Sequence, residues 1–251
     1  MSGHSKWASI KHQKGVADAR RGQLFTKLTR EIIVAVRQGG SNPESNSRLR
    51  LAIQKARDNR MPSENIERAI KRASGTTEGA NLEEMVLEGY GPNRTAIMVN
   101  ALTDNRNRTL QDVRNIFTRH GGNMGESGCV AWLFDSKGLI MLKASDLDAE
   151  ELALQAIDAG AEDVKVENSH VEIYTKPEEL ERVRTALEQN NLPVASAELS
   201  MVPKTLVELE EKAALQTLRL LDKLEELDEV QHVSSNADFP SSVLEQYQSQ
   251  S

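Results

Sequence analysis

Apolar positions recur at helical spacing near the start of the chain. From about Val16 to Gln38, Leu24, Phe25, Leu28, Ile32 and Val36 share one sector of a helical wheel, while Arg20, Lys27, Arg30 and Arg37 lie opposite. This pattern predicts a helix that packs on one side and meets solvent or phosphate on the other. Gly22 costs such a helix about 1 kcal/mol relative to Ala and is a candidate break. Gly39, Gly40 and Pro43 end it. A second helix is predicted over about Ser45 to Asn59, with Leu49, Ile53 and Ala56 facing one way and Arg48, Arg50, Lys55 and Arg57 on the remaining surface. Pro62 and Ser63 signal a third start, with Ser63 as N-cap and Glu64 in the first turn. Ile66, Ile70 and Ala73 give that helix its core stripe and Gly75 stops it. These elements predict a small antiparallel helical domain over residues 1–78.

The Gly/Thr linker Thr76 to Asn81 precedes a change of period. Met85, Leu87 and the stretch Ala96 to Ala101 read as two strands of a hairpin around Gly91-Pro92-Asn93. Thr109 with Asp112 resembles a capping box, followed at helical spacing by Leu110, Val113, Ile116 and Phe117. Arg106 and Arg108 fall in the loop before this helix. Gly121 to Gly128 is a glycine-rich loop leading into a predicted strand, Cys129 to Phe134. Beyond Gly138 the pattern gives a strand at Leu139–Lys143, a helix at Asp148–Ala159, strands at Asp163–Glu167 and His170–Thr175, a helix at Pro177–Asn190 and a strand at Val194–Val202. This is βαββαβ, the ferredoxin-like arrangement. In its last strand Ala195, Ala197, Leu199 and Met201 alternate with Ser196, Glu198 and Ser200, as expected of a sheet with one covered face.

Pro203 and a capping box from Thr205 to Glu208 predict the longest helix, through about Leu227. A helix this apolar on one side needs a sheet to cover. The hairpin region has a sheet and one helix, so this helix and a strand at Val230–Ser234 complete it. The predicted fold class is α+β and multidomain, with an N-terminal helical domain followed by two α/β domains. Residues 79–136 plus 203–238 form the first α/β domain, residues 137–202 form the ferredoxin-like domain inserted into it, and residues 239–251 form a disordered tail.

Charge sharpens this outline. Residues 1–75 carry 16 Lys and Arg against 6 Asp and Glu, whereas the rest carries 15 against 32, within a whole-chain net charge of −7. Such asymmetry points to a polyanion-facing surface, most often for nucleic acid. The candidate binding residues are Lys6, Trp7, Lys11, Lys14, Arg20, Arg21, Lys27 and Arg30, with Arg106 and Arg108 as a further pair. Trp7 either stacks on an exposed base or pins the N-terminal arm to the helices. The competing reading is that the positive charge forms a solvated face or complements the acidic part of the chain itself.

Other chemistry is sparse. The single cysteine, Cys129, excludes an intramolecular disulfide and a multi-cysteine metal site, and it reads as a small core residue. His4, His12, His120, His170 and His232 show no metal-ligand spacing. The Gly121 to Gly128 loop lacks the GK[ST] ending of a phosphate loop and passes from helix to strand, so it reads as a structural turn. No serine elbow or placed acid pair is present. The expectation is a protein that is not an enzyme, with no cofactor, metal or small-molecule substrate. No stretch is apolar enough to span a membrane and no apolar h-region follows the basic N-terminus, which predicts a cytoplasmic protein. The connections near Gly39–Pro43 and Arg60–Ser63 do not form an evident helix-turn-helix, so the residues support phosphate contact rather than major-groove reading.

The runs GHSKWASIKHQKGVADARRGQLFTKLTREI, EGYGP at Glu88–Pro92, DNRNRT at Asp104–Thr109 and GGNMGESGCVAWLF closely resemble the YebC/PmpR family from Gly3 to about Asn236. The resemblance implies three domains, one α/β domain being inserted in the other, and no catalytic residues. It implies a cytoplasmic DNA-binding transcriptional regulator. Relatives also imply a second role, as translation factors on ribosomes, some relieving stalling at proline-rich sequences. The partner is then DNA, or rRNA within a ribosome. The motif positions Lys6, Trp7, Lys11, Lys14, Asp18, Arg21, Phe25 and Lys27 carry over.

Overall fold

A computed structural model of the 251-residue chain describes residues 18–75, 82–143, 149–167 and 170–249. The N-terminal part is a bundle of α1 (Asp18–Gly39), α2 (Ser47–Asp58) and α3 (Ser63–Ser74). Leu28, Ile32 and Val36 of α1 pack on Leu49 and Ile53 of α2 and Ile66 of α3, the apolar stripes read from the sequence. Helix α1 runs unbroken through Gly22, where an added Cβ would meet open space, so only backbone propensity is lost there. Asn46 fixes the α1–α2 connection. Its Oδ1 accepts a hydrogen bond from the Leu49 N–H at 3.0 Å, and its Nδ2 donates to the carbonyls of Ala35 and Gly40, each at 2.8 Å. At α3 the expected Ser63 cap is not made. Ser63 is the first helical residue, and Pro62, with φ −57°, occupies the cap position without a side-chain bond.

The first sheet has the order β3-β1-β2-β9 and is antiparallel throughout, with β1 (Glu83–Tyr90), β2 (Ala96–Thr103), β3 (Asn123–Met124) and β9 (Val230–Ser235). The β1–β2 hairpin turns through Pro92–Arg94, with Asn93 at φ 57°. Met85 and Leu87 of β1 and Ile97 and Val99 of β2 face Phe117 of α4 (Arg106–Arg119) and Leu218 and Leu221 of α7 (Glu211–Glu225). The start of α4 differs from the sequence reading. Asn105, not Thr109, is the cap, its Oδ1 accepting from the Arg108 N–H at 3.1 Å, so Arg106 and Arg108 lie in the first turn of the helix. Thr109 is buried and donates to Thr103 Oγ1 at 2.8 Å, a bond across the strand end that outweighs a cap role.

The second sheet has the order β5-β6-β4-β7, from β4 (Phe134–Lys143), β5 (Asp163–Glu167), β6 (His170–Thr175) and β7 (Val194–Pro203), again antiparallel. Helices α5 (Ala149–Asp158) and α6 (Leu180–Gln189) bury Leu152, Ala156, Val183 and Leu187 against it. The predicted strand at Cys129–Phe134 is instead a bend and a short 3-10 turn, and β4 begins at Phe134 and continues through Gly138. A Cβ at Gly138 would stand 2.2 Å from Thr175 Oγ1 and 2.9 Å from Leu180 Cβ, so glycine admits the neighbouring strand and helix there. The apolar alternation of β7 also fails at Leu199, which is 52% exposed.

Two expectations near the C-terminus are corrected. Val207–Glu208 is a two-residue strand, β8, paired in parallel with β10 (Ala237–Asp238), so the long helix starts at Glu211 rather than Thr205. The segment read as a disordered tail contains α8 (Ser241–Ser249), whose Val243 and Leu244 join the preceding Phe239 in the core of the first sheet. Among the described residues no helix is long and apolar enough to cross a membrane.

Phe239 is 2% exposed. Its replacement by Ala is expected to lower the unfolding free energy by about 3–5 kcal/mol in urea titration; a change within about 0.5 kcal/mol would mean that the C-terminal segment does not form part of this core.

Candidate nucleic-acid interface

The cations of the helical bundle divide into two groups. One group faces the two sheets and is paired with their acids. Lys27 Nζ donates to the Glu225 carbonyl at the end of α7. Arg30 Nη1 donates to the Leu102 carbonyl at 3.3 Å, and its Nη2 lies 3.6 Å from Glu229 Oε1. Arg48 pairs with Glu84 of β1. Arg50 grips Glu181 of α6 through both Nε and Nη2, the latter at 2.8 Å, while its Nη1 donates to the Pro43 carbonyl. Lys55 Nζ sits 3.3 Å from Glu31 and 3.5 Å from Glu198 of β7. Burial alone would lower the Lys55 pKa, but the two carboxylates outweigh it and raise it above the usual lysine range. Leu51 adds an apolar contact to the core of the second sheet.

The second group faces away. Arg57, Arg60, Lys71 and Arg72 are exposed, and none makes an ion pair among the described residues. Their placement follows from local sequence. On α3 the stripe Ile66, Ala69, Ile70 and Ala73 turns inward, leaving Arg68, Lys71 and Arg72 on the other faces. Arg60 occupies the α2–α3 turn at φ 57°.

This division rearranges the residues singled out from the sequence. Lys6, Trp7, Lys11 and Lys14 lie outside the described residues, as does the side chain of Arg20 on α1. Arg21 is exposed on α1. Lys27 and Arg30, expected on the outward face, instead point at the first sheet, because that side of α1 is the one the sheet covers. Arg106 lies 3.5 Å from Glu83, and Arg108 donates to Asp104 at 2.8 Å and to Glu229 at 3.0 Å. The four exposed cations, Arg57 on α2, Arg60 in the turn after it and Lys71 and Arg72 on α3, were counted in the charge but not among the candidate binding residues. For Lys71 and Arg72 the signal was the helical periodicity of α3.

Helix α3 is a poor major-groove reader. The N-terminal end that would approach base edges carries Glu64 and Glu67, both exposed, while its basic residues sit in the last turns. That arrangement repels phosphate at the reading end and attracts it at the other.

The glycine-rich loop after β3 is arranged around an internal anion. Glu88 of β1, 4% exposed, accepts N–H bonds from Gly128 at 2.6 Å and from Val130 and Ala131 at 2.8 Å each. This cradle of N–H groups is filled by the chain's own carboxylate. Burial alone would raise the Glu88 pKa, but the three donors outweigh it and hold it below the ordinary glutamate value. The loop presents Trp132, 66% exposed, whose Nε1 donates to the Cys129 carbonyl at 3.1 Å; Tyr90 donates to the same carbonyl at 2.9 Å. Burial, with Glu88 and Glu126 nearby, pushes the Cys129 thiol up, away from nucleophile behaviour. Among the described residues no three His, Cys, Asp or Glu side chains are grouped to hold a metal ion.

A helical bundle docked by ion pairs on two antiparallel sheets, with a further set of exposed cations, defines the chain as a multidomain α+β protein with a basic N-terminal part. Residues 5–76 match the TACO1/YebC protein N-terminal domain, and residues 82–237 match the TACO1/YebC second and third domain. The chain belongs to this family, the YebC/PmpR family. It is 61% identical over 250 residues, 100% of each chain, to a probable transcriptional regulatory protein of Dehalococcoides mccartyi. It is 51% identical to a probable transcriptional regulatory protein of Natranaerobius thermophilus, over 98% of this chain and 99% of that one. The crystal structure of a conserved hypothetical protein from Aquifex aeolicus is similar at a TM-score of 0.84 and 48% identity, covering 92% of this chain and 98% of that one.

Two measurements test the site's electrostatics. Glu181→Gln with Glu198→Gln should weaken bundle docking by about 1–3 kcal/mol, raising deuterium uptake in α2 while the sheet strands keep theirs. Unchanged uptake in α2 would contradict ionic docking. Glu88→Gln sets an amide N–H₂ among N–H donors and should cost about 1–3 kcal/mol at neutral pH. Because Glu88 holds its proton less tightly in the folded chain, its stabilisation is present at neutral pH and is lost as pH falls through the lowered value. The variant should therefore lose less stability on acidification than the parent chain, read as the urea midpoint against pH.

Proposed function

We propose that the protein is a non-enzymatic, cytoplasmic regulator that binds nucleic acid through its helical bundle. The observation that carries this reading is the exposed set Arg57, Arg60, Lys71 and Arg72, on a bundle whose Arg48, Arg50 and Lys55 are instead paired with acids beyond the bundle. The basic N-terminal residues Lys6, Lys11, Lys14, Arg20 and Arg21, with Trp7 among them in the sequence, are assigned to the same function by their charge. In this reading residues 1–78 form the binding domain, residues 79–136 and 203–238 form an α/β domain, and residues 137–202 form a second domain inserted in it. The relatives' names support a transcriptional regulator, and the partner proposed for that role is DNA.

A second reading, a ribosome-associated factor contacting rRNA, is favoured by the acidic N-terminal end of α3. A surface that meets phosphates without inserting a reading helix suits structured RNA at least as well as duplex DNA.

The test compares full-length protein on its own upstream duplex, on a scrambled duplex of equal length, and in co-sedimentation with ribosomes. A transcriptional regulator prefers its own duplex by about a thousandfold or more. Equal binding of both duplexes, together with ribosome co-sedimentation that Lys11→Glu, Lys14→Glu, Arg20→Glu and Arg21→Glu abolish, selects the second reading. In either case each phosphate-contacting cation removed should lower the slope of log affinity against log salt by about one. Absence of binding to every probe overturns both readings.

A further inference from the structure

Between α1 and α3, where the bundle meets the start of β1, lies a groove of about 510 Å³. Phe25, Ile33, Met61, Ala69 and Leu82 give it an apolar floor. Phe25 and Leu82 are partly exposed, so the floor is open to a ligand, whereas Met61 and Ala69 are buried beneath it. Arginines line it as well: Arg37 near the end of α1, and Arg68 and Arg72 one turn apart on α3.

The charge of this groove is positive. Its acid, Asp104, already accepts from Arg108 at 2.8 Å, and its fourth arginine, Arg30, is turned to Leu102 and Glu229. Arg68 pairs with Glu64 at 2.7 Å, but both side chains are largely exposed, at 68% and 82%, so the pair is readily exchanged for a stronger anion. Arg72 makes no ion pair among the described residues.

An arginine rim over an apolar floor selects among anions. A free phosphate gains nothing from Phe25 and Met61. A blunt duplex offers phosphates but keeps its bases stacked inside, so the floor stays uncovered. An unpaired nucleotide satisfies both parts, its base lying on an aromatic ring and its phosphates reaching guanidinium groups. The volume falls within the range of small-ligand pockets. Arg68 and Arg72, at i and i+4 on α3, are neighbours on one helix face, their Cβ atoms about 5–6 Å apart.

We propose that this groove binds an unpaired nucleotide of the nucleic-acid partner, with the base on Phe25 and the flanking phosphates on Arg68 and Arg72. The proposal rests on the nucleic-acid reading above and narrows it, since the preferred target is then a single strand, loop or bulge. The bundle's outer cations hold the surrounding backbone and the groove takes the extruded base.

Full-length protein is titrated with labelled oligo(U) and oligo(dT) of about twelve nucleotides, with blunt duplexes of equal length, and with the same duplexes carrying one unpaired nucleotide. Single-stranded and bulged probes are expected to bind about tenfold or more tightly than blunt duplexes. Phe25→Leu keeps the floor apolar and should cost about five- to tenfold on unpaired probes while leaving blunt-duplex binding unchanged. Arg68→Ala with Arg72→Ala should remove the preference, and circular dichroism melting confirms that each variant is folded. Equal affinity for paired and unpaired probes, or folded variants that keep the parental preference, overturns the groove proposal while leaving nucleic-acid binding intact. Binding to no probe overturns both.

Discussion

The fold depends on ion pairs that join a basic bundle to two acidic sheets. Arg50 meets Glu181 with two nitrogens, and such a fork fixes direction as well as distance. Lys55 is held between Glu31 of its own bundle and Glu198 of β7, so the charge stays compensated where its side chain is only 30% exposed. On the other flank Arg30 shares Glu229 with Arg108 of α4. The bundle therefore touches the first sheet through α1 and Arg48 of α2, and the second through Arg50 and Lys55 of α2. Its position over both, and the groove left between α1, α3 and the start of β1, follow from those contacts.

This constraint splits what looked like one basic patch. Arg30, Arg48, Arg50 and Lys55 answer acids within the chain, and Lys27 a backbone carbonyl at the end of α7, as the reading of self-complementing charge required. Arg57, Arg60, Lys71 and Arg72 make no ion pair among the described residues, and the proposed phosphate contacts fall on them. The self-complementing reading thus describes the face toward the sheets, and the nucleic-acid proposal concerns the other. Exposed ion pairs are weak and screened by salt, so ionic strength acts on bundle docking and on polyanion binding together. A salt titration of binding alone mixes the two, whereas deuterium uptake in α2 reports docking separately.

Periodicity located the three bundle helices, the hairpin and the strand-helix order of the second sheet, because each buries one face and its spacing records which. It failed where a distant partner decides. Val207 and Glu208 are strand only through Ala237 and Asp238, and nothing local opposes continuing a helix through them. The Ser- and Gln-rich C-terminus looks polar, yet Phe239, Val243 and Leu244 suffice to seat a short helix against a core assembled from earlier elements. Thr109 matched a cap pattern and was taken by Thr103 from an adjacent strand end. The candidate site was legible as charge and not as a surface. A wheel for α1 separates Lys27 and Arg30 from Leu28 and Ile32, but it does not reveal that a second face of the same helix is covered by another sheet.

The Glu88 loop bears on the same geometry from the far side. Glu88 belongs to β1, and the N–H groups it holds at Gly128, Val130 and Ala131 immediately precede β4, so this carboxylate fastens the chain's exit from the first sheet to its entry into the second. The return crossing is tied at the same place: the backbone N–H of Lys204, just after β7, donates to the Leu133 carbonyl at 2.9 Å, and its Nζ donates to Trp132 O at 3.0 Å. Both crossings between the two sheets are thus fastened by hydrogen bonds outside the bundle. Glu84 and Glu229 on one side and Glu181 and Glu198 on the other then stand at separations that one rigid bundle can bridge with α1 and α2 at once. A buried carboxylate held by backbone N–H groups alone thus ties the two sheets whose acids the bundle meets.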